Sequence, residues 1–299
     1  LNGPHAQMQI EKRVDLAYTF NVVGLRACNV SRTDIPYGCL LFSDNSWPHI
    51  HWRYISMQNR YTGDIGDFGK FGLLRQLSHT VLSIGVNWYL TPDETHNGDG
   101  RHIEYLKKDS FRSCDEYLWQ ELGHIVTSGK RGISALESPT LLQAKYYSRL
   151  LDFSGTVKSD RNSLRWEWHN LALEQLKGCN LIFVDPDNGL IVPSADGTLK
   201  SNKFALPLEL ADYYRSGSSV IYYQHKARRP DSFYVTQHNR LLHSGAFPDA
   251  IGFGLKFKTT SQRYYFFLVQ PCHVSTISAC VQRMVSCEWS RHFSLMSCL

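Results

Sequence analysis

The sequence predicts a doubly wound α/β domain closed by a C-terminal antiparallel hairpin, on three observations. The apolar run Val81 to Leu90 leads into the polar glycine turn Thr95-His96-Asn97-Gly98-Asp99-Gly100-Arg101. A second run, Asn180 to Val184, ends in the acid-proline turn Asp185-Pro186-Asp187-Asn188-Gly189. Near the end of the chain, Ala250 to Lys258 and Arg263 to Gln270 alternate apolar and polar residues around Thr259-Thr260-Ser261-Gln262, which reads as a hairpin. Strand then polar turn, repeated with helical stretches between, builds a ligand crevice at the carboxyl ends of the strands.

Element by element, Asp67 is placed to cap a helix running to about Leu77, with Gly69 and Gly72 inside it permitting close backbone packing or ligand approach. Val81 to Leu90 is the first strand, Glu104 to Gly123 carries a helical pattern, and Ile133 to Glu137 reads as a short strand. Leu141 to Leu151 and Leu164 to Leu176 read as helices, with Trp166 and Trp168 as packing residues. Leu181 to Val184 and Ser219 to Tyr223 are buried strands; Leu206 to Arg215 and Phe233 to His243 are helices.

At 299 residues, 42% hydrophobic and 20% charged, the chain is long enough to bury a substantial core. A formal charge of +5 permits a nucleic-acid partner without requiring one. The eight cysteines show no Cys-x-x-Cys pair and no His at ligand spacing, so they read as reduced thiols in a cytoplasmic protein, and no metal site is expected. No apolar run approaches the roughly 20 residues that span a bilayer, so no membrane partner is expected. Regular patterning begins at Met57. Residues 1–56 therefore read as an extension with little stable structure, a natural N-terminal subdomain being the alternative; residues 57–271 form the α/β domain, and 272–299 a segment without an assigned role.

Three stretches occur in one order: Gly63-Asp64-Ile65-Gly66-Asp67-Phe68-Gly69-Lys70, then Thr95 to Arg101, then Val184 to Gly189. The ordered set resembles the Rossmann-like S-adenosylmethionine-dependent methyltransferases, most closely the bacterial 23S rRNA adenine-N6 methyltransferases. Those chains open with Gly-Asn-x-x-Asp-x-x-Lys, continue with Thr-His-x-Gly-x-Gly-Arg and place an Asp-Pro-Pro-Tyr box after the fourth strand. The resemblance spans roughly Arg60 to Pro271. It implies a Rossmann-like sheet and S-adenosylmethionine bound by Lys70, His96, Gly98, Gly100 and Asp185. It further implies methyl transfer to a nucleic acid, RNA or DNA, at adenine N6, with Asp185, Pro186 and Asn188 at the reacting end. Asp99, between the two glycines, would pair with the amino or sulfonium group of that ligand. Glu137 is the candidate by position for the cofactor ribose. Lys70 stands one helical turn from Asp67, so an i, i+3 ion pair and a place in the pocket are both open to it.

The third motif departs from the family. Asp187 replaces the second proline and Asn188 the aromatic ring that stacks on the flipped base, leaving Tyr222 or Tyr223 on the next strand to supply it. That departure opens a second reading, a Mg²⁺-dependent nuclease using Asp185, Asp187 and Lys226 of Gln224-His225-Lys226. The intervening helix argues against it, since nucleases with that motif carry both parts on adjacent hairpin strands. A third reading is a binding protein that keeps the fold without turnover. His225, Lys226, Arg228 and Arg229 form a compact basic cluster after the Ser219 to Tyr223 strand, the candidate phosphate-backbone contact.

Overall fold

Helix α1 (Ile65–Ser78) begins where the side chain of Asp64 accepts the backbone N–H groups of Gly66 and Asp67, at 2.6 and 3.1 Å. Asp64, not Asp67, is thus the cap, because only the residue before the first turn has the extended backbone that aims its oxygen at those donors. The computed structural model describes residues 62–92, 102–129, 131–259 and 262–296. The expected extension 1–56, the polar residues Asn59, Arg60 and Tyr61, and the turn carrying His96, Gly98, Asp99 and Gly100 lie outside the described residues.

Strand β1 (Ile84–Asn87) pairs in parallel with β2 (Lys145–Tyr147) on one side and β3 (Leu181–Val184) on the other, and β3 with β6 (Ser219–His225). The hairpin strands β7 (Ile251–Phe257) and β8 (Arg263–Val269) follow, with β8 antiparallel to both β6 and β7, and β9 (Phe293–Met296) antiparallel to β7. The sheet order is β2-β1-β3-β6-β8-β7-β9. The chain leaves β1 for β2 on one side and returns to β3 on the other, so the strand order reverses between β1 and β3, where open α/β sheets hold their ligands. A two-stranded parallel ribbon, β4 (Gly189–Leu190) with β5 (Phe204–Ala205), follows the acid-proline turn.

Both faces of the sheet are covered, as a Rossmann-like α/β fold requires. On one face, Phe68 and Phe71 of α1, Leu118 of α3 (Glu116–Thr127) and Ile277 and Met284 of α8 (Val274–Ser286) pack with Val86, Phe183, Tyr265 and Phe267. On the other, Trp168 of α5 (Arg161–Gln175), Leu210 of α6 (Pro207–Arg215) and Tyr234 of α7 (Asp231–Leu242) pack with Ile182, Val220, Tyr222 and Phe266. Consecutive strand residues thus enter different cores, as the period of two dictates. Helix α8 and strand β9 carry the segment after Gln270 into the same sheet and core.

Several expectations are corrected. Glu104 to Gly123 is broken into a 3-10 turn (Glu104–Lys107), α2 (Asp109–Arg112) and the start of α3, which Asp115 caps through the Leu118 N–H. Ile133 to Glu137 is not a strand but α4 (Ile133–Leu136), whose Ile133 and Leu136, three apart, reach one core. Leu141 to Leu151 is not a helix: its Lys145–Tyr147 core is β2, where pairing with β1 overrides a leucine spacing that mimics a helical face. Trp168 is buried, but Trp166, two residues away and so on another side of α5, is 70% exposed.

Of the two helical glycines, Gly72 illustrates the packing alternative. A Cβ there would run into the indole of Trp289, which is wholly buried. Gly72→Ala is expected to cost about 1–3 kcal/mol through overpacking, despite the about 1 kcal/mol that alanine gains over glycine in a helix. A urea midpoint equal to the parent's would show that Trp289 yields.

Candidate active site

Asp185 stands one residue past β3, at the strand-order reversal, with its N–H donated to the Asn87 carbonyl at 2.9 Å. Its Oδ2 receives the Lys70 ammonium at 2.5 Å, and the same ammonium reaches Asp67 Oδ1 at 3.1 Å. Lys70 also lies 5.0 Å from the centroid of the Trp88 ring. The side chains of Lys70 and Asp185 are only 10% and 7% exposed. The i, i+3 pair foreseen for Lys70 therefore exists, but buried, and the same lysine ties the first motif to the third across 115 residues.

Burial pushes the Asp185 carboxyl up to about 6, with Lys70 opposing and Asp67 and Asp187 adding to the rise. Burial works against the Lys70 ammonium too, but Asp185 and Asp67 more than offset it and hold its pKa well above the ordinary lysine value. Lys70 is thus a permanent cation, while Asp185 titrates close to neutrality. Asp64 is also raised, chiefly by burial, with Arg263 opposing.

The turn after Asp185 is held from β6. Gln224 Oε1 accepts the Leu190 N–H at 3.0 Å and Nε2 donates to the Asn188 carbonyl at 2.8 Å. Gly189 has φ +101°, and the space beside it is filled by the Gln224 amide, so glycine is required there twice over. The Asn188 N–H donates to the Lys203 carbonyl at 3.0 Å, so Asn188 is held by its backbone within the turn. Pro186 is buried between Asp185 and Asp187.

At the end of β1 the backbone is strained. Tyr89 has φ +49°, braced by its N–H on Asn87 Oδ1 at 3.2 Å. Its hydroxyl reaches Glu209 at 2.9 Å. Glu209 pairs with Arg165 at 2.6 Å, and Arg165 also donates to the Ser201 and Phe204 carbonyls at 2.8 and 2.6 Å. This buried pair anchors the segment following the acid-proline turn. It escaped the sequence reading, whose only available signal was Glu209 two residues after Pro207 at the start of a helix.

Glu137 accepts the Trp88 indole N–H at 3.1 Å, which brings it beside the carboxyl end of β1. Thr91, also past β1, is buried with no hydrogen bond on its hydroxyl among the described residues. His102, on the far flank of the glycine turn, accepts the Ile65 N–H of α1 at 3.0 Å. The end of β1 thus gathers the Glu137 carboxylate and the orphaned Thr91 hydroxyl, with Asp64, Asp67 and Asp185 buried against the cations Lys70 and Arg263.

The basic cluster divides. Lys226 gives its ammonium to Asp231 and Gln262, at 2.7 and 2.9 Å, rather than to Asp185. Asp231 also takes Lys256 and the Tyr264 hydroxyl; although burial works the other way, these bonds hold it far below the usual carboxylate range. His225 Nδ1 lies 3.3 Å from the Tyr223 hydroxyl. Arg228 and Arg229 are exposed, with Arg229 5.4 Å from the Phe233 ring. Asp187 Oδ2 is 3.7 Å from the Lys203 ammonium. Among the described residues, no three His, Cys, Asp or Glu side chains converge as a metal site, and no helix is long and apolar enough to cross a membrane.

No protein-family model and no curated protein matches the chain. Among solved structures, the crystal structure of protein LPL1258 from Legionella pneumophila, assigned family model DUF519, aligns over 80% of this chain and 97% of that one. The identity is 10% and the TM-score 0.34, a likeness that supports no statement about activity.

Proposed function

We propose that this chain is an S-adenosylmethionine-dependent methyltransferase acting on nucleic acid, at the N6 amino group of adenine. The observation that carries the reading is the buried Lys70–Asp185 pair at the β1/β3 strand-order reversal, which joins two of the three motifs in the family's order. What S-adenosylmethionine supplies is an electrophilic methyl carbon; Glu137, Thr91, Asp67 and Lys70 are the described residues that would hold it. His96, Gly98 and Gly100 are the further candidates.

Asp185 Oδ1 carries no hydrogen bond among the described residues, while Oδ2 is engaged by Lys70. The free oxygen accepts an N–H of the substrate amino group and orients its lone pair. Lys70 fixes the carboxylate's orientation and favours its ionised form. Gln224 and Gly189 hold the turn rigid, so that the Pro186 carbonyl is a fixed second acceptor. Positioning and electrostatics of this kind are what methyl transfer to a weakly nucleophilic nitrogen asks of a protein. Arg228 and Arg229, on the rim beyond β6, contact the phosphate backbone.

The test offers structured RNA and duplex DNA to the full chain with methyl-labelled S-adenosylmethionine, with and without Mg²⁺. Label in uncut nucleic acid is expected. Cofactor-independent cutting would establish the nuclease, and neither product the non-catalytic fold. Replacing both Arg228 and Arg229 by Ala should weaken nucleic-acid binding for all sequences alike and lower the salt slope by about 2. An unchanged slope would remove that loop from the interface.

A further inference from the structure

Helix α1, which carries Lys70, is held by two segments that each bear a cysteine. The loop between α2 and α3 gives Asp115 to Arg75 of α1 at 2.7 Å, and Cys114 immediately precedes Asp115. The 3-10 turn Glu288–Arg291 after α8 sets Trp289 against Gly72 of α1 and 5.0 Å, between ring centroids, from Phe68 of the same helix. Cys287 is the residue before that turn. Both thiols are free, Cys114 half-buried and Cys287 exposed.

The two segments are joined beside the thiols. Arg291 donates to the Ser113 hydroxyl at 3.2 Å, across 178 residues of chain, and its guanidinium also pairs with Glu288 at 2.7 Å. A chain of contacts Glu288–Arg291–Ser113 thus runs from the residue after Cys287 to the residue before Cys114. The Ser110 carbonyl accepts the Cys114 thiol at 3.3 Å and His292 Nε2 at 3.0 Å, and the His292 ring stacks on Phe111 with centroids 3.9 Å apart. Cys287 donates to the Met284 carbonyl at 3.4 Å, so each thiol rests on a carbonyl of its own preceding turn. Burial pushes Cys114 up to about 12, with Arg291 opposing. Cys287 adds more to that rise than Glu288 or Asp115 does, although Asp115 is the chain neighbour of Cys114, an influence that two distant sulfurs could not exert.

We propose that Cys114 and Cys287 are a redox pair whose reversible disulfide clasps α1 between the α2–α3 loop and the end of α8. The oxidant is a low-molecular-weight disulfide such as oxidised glutathione. The exposed Cys287, as thiolate, attacks one sulfur of that disulfide, breaks its S–S bond and releases one glutathione thiolate. Rotation about the Cα–Cβ bonds then takes both side chains off their carbonyls. Cys114 loses its proton to water and attacks the Cys287 sulfur, forming the Cys114–Cys287 bond and expelling the second glutathione. Two protein thiols are oxidised to one disulfide while the oxidant is reduced to two thiols, and excess thiol reverses both steps.

The experiment incubates the full chain, dilute, with oxidised glutathione and maps its peptides by mass spectrometry without reduction. A peptide cross-linked through Cys114 and Cys287 is expected in monomeric protein, and dithiothreitol should remove it. The thermal midpoint should rise by at least about 5 °C, because the bridge closes a long loop of the unfolded chain. Amide exchange in α1 should slow with it. Cys114→Ser should stop at a glutathione adduct on Cys287, and Cys287→Ala, which changes an exposed side chain, should show no rise in midpoint on oxidation. From the adduct formed beforehand, closure should quicken about tenfold between pH 7 and pH 8, since well below its pKa the thiolate fraction of Cys114 grows by that factor. Adducts on both cysteines without a cross-link, pairing of either one with another cysteine, or a midpoint that oxidation leaves unchanged overturns the clasp. Closure at a rate independent of pH overturns Cys114 as the second thiol.

Discussion

If the chain is the methyltransferase proposed, Asp185→Ala is expected to lower labelled methyl transfer by about 10²–10³-fold while leaving S-adenosylhomocysteine affinity within severalfold, because the carboxylate would orient the acceptor nitrogen rather than the cofactor. Its pH dependence is set by the same burial. With the Asp185 carboxyl pushed up to about 6, the parent's kcat/KM should fall as pH drops below about 6, when protonation removes the ionised acceptor. In Asp185→Asn that acidic limb disappears. Stability runs the opposite way. The folded pKa lies above the ordinary 3.8, so the native state holds its proton more tightly, and this contribution is fully present below about pH 4 and lost as pH rises to about 6. Its size is about 3 kcal/mol, absent in Asp185→Asn. A kcat/KM profile flat from pH 5 to pH 8 in the parent would remove Asp185 from the reacting end.

Lys70→Met is expected to destabilise the fold by about 3–5 kcal/mol at pH 7, because it leaves Asp67 and Asp185 buried without the cation between them. The loss shrinks as pH falls through 6 and Asp185 takes up a proton, so urea unfolding at pH 5 and pH 8 separates this cause from lost packing. An equal loss at both values would make the side chain's apolar stem, not its charge, the stabilising part.

Legibility followed the range of the interactions. Strands β3 and β6, the closing hairpin, and helices α5, α6 and α7 were readable because short apolar runs, alternation and 3.6-residue spacing are local properties. Strand β2 was not: Leu141, Leu142, Leu150 and Leu151 imitate a helix, and three residues become a strand only because β1 offers them partners. The cap assignment shifted from Asp67 to Asp64 because two acids three residues apart look equivalent until the backbone direction is known.

For the site, the residue types and their order were already in the chain: Asp64, Asp67, Lys70, Glu137 and Asp185 are chemistry that no folding is needed to see. Folding decided their partnerships. It turned Lys70 from one end of a local pair into a buried bridge to Asp185, sent Lys226 to Asp231, and tied Gln224 to the turn at Gly189. It also put Tyr223 against the core beneath α1 and Tyr222 in the opposite one, which a one-residue change of register on β6 would have reversed. Composition and periodicity act over a few residues, whereas a buried ion pair across 115 residues exists only once parallel strands have brought distant segments out of water together.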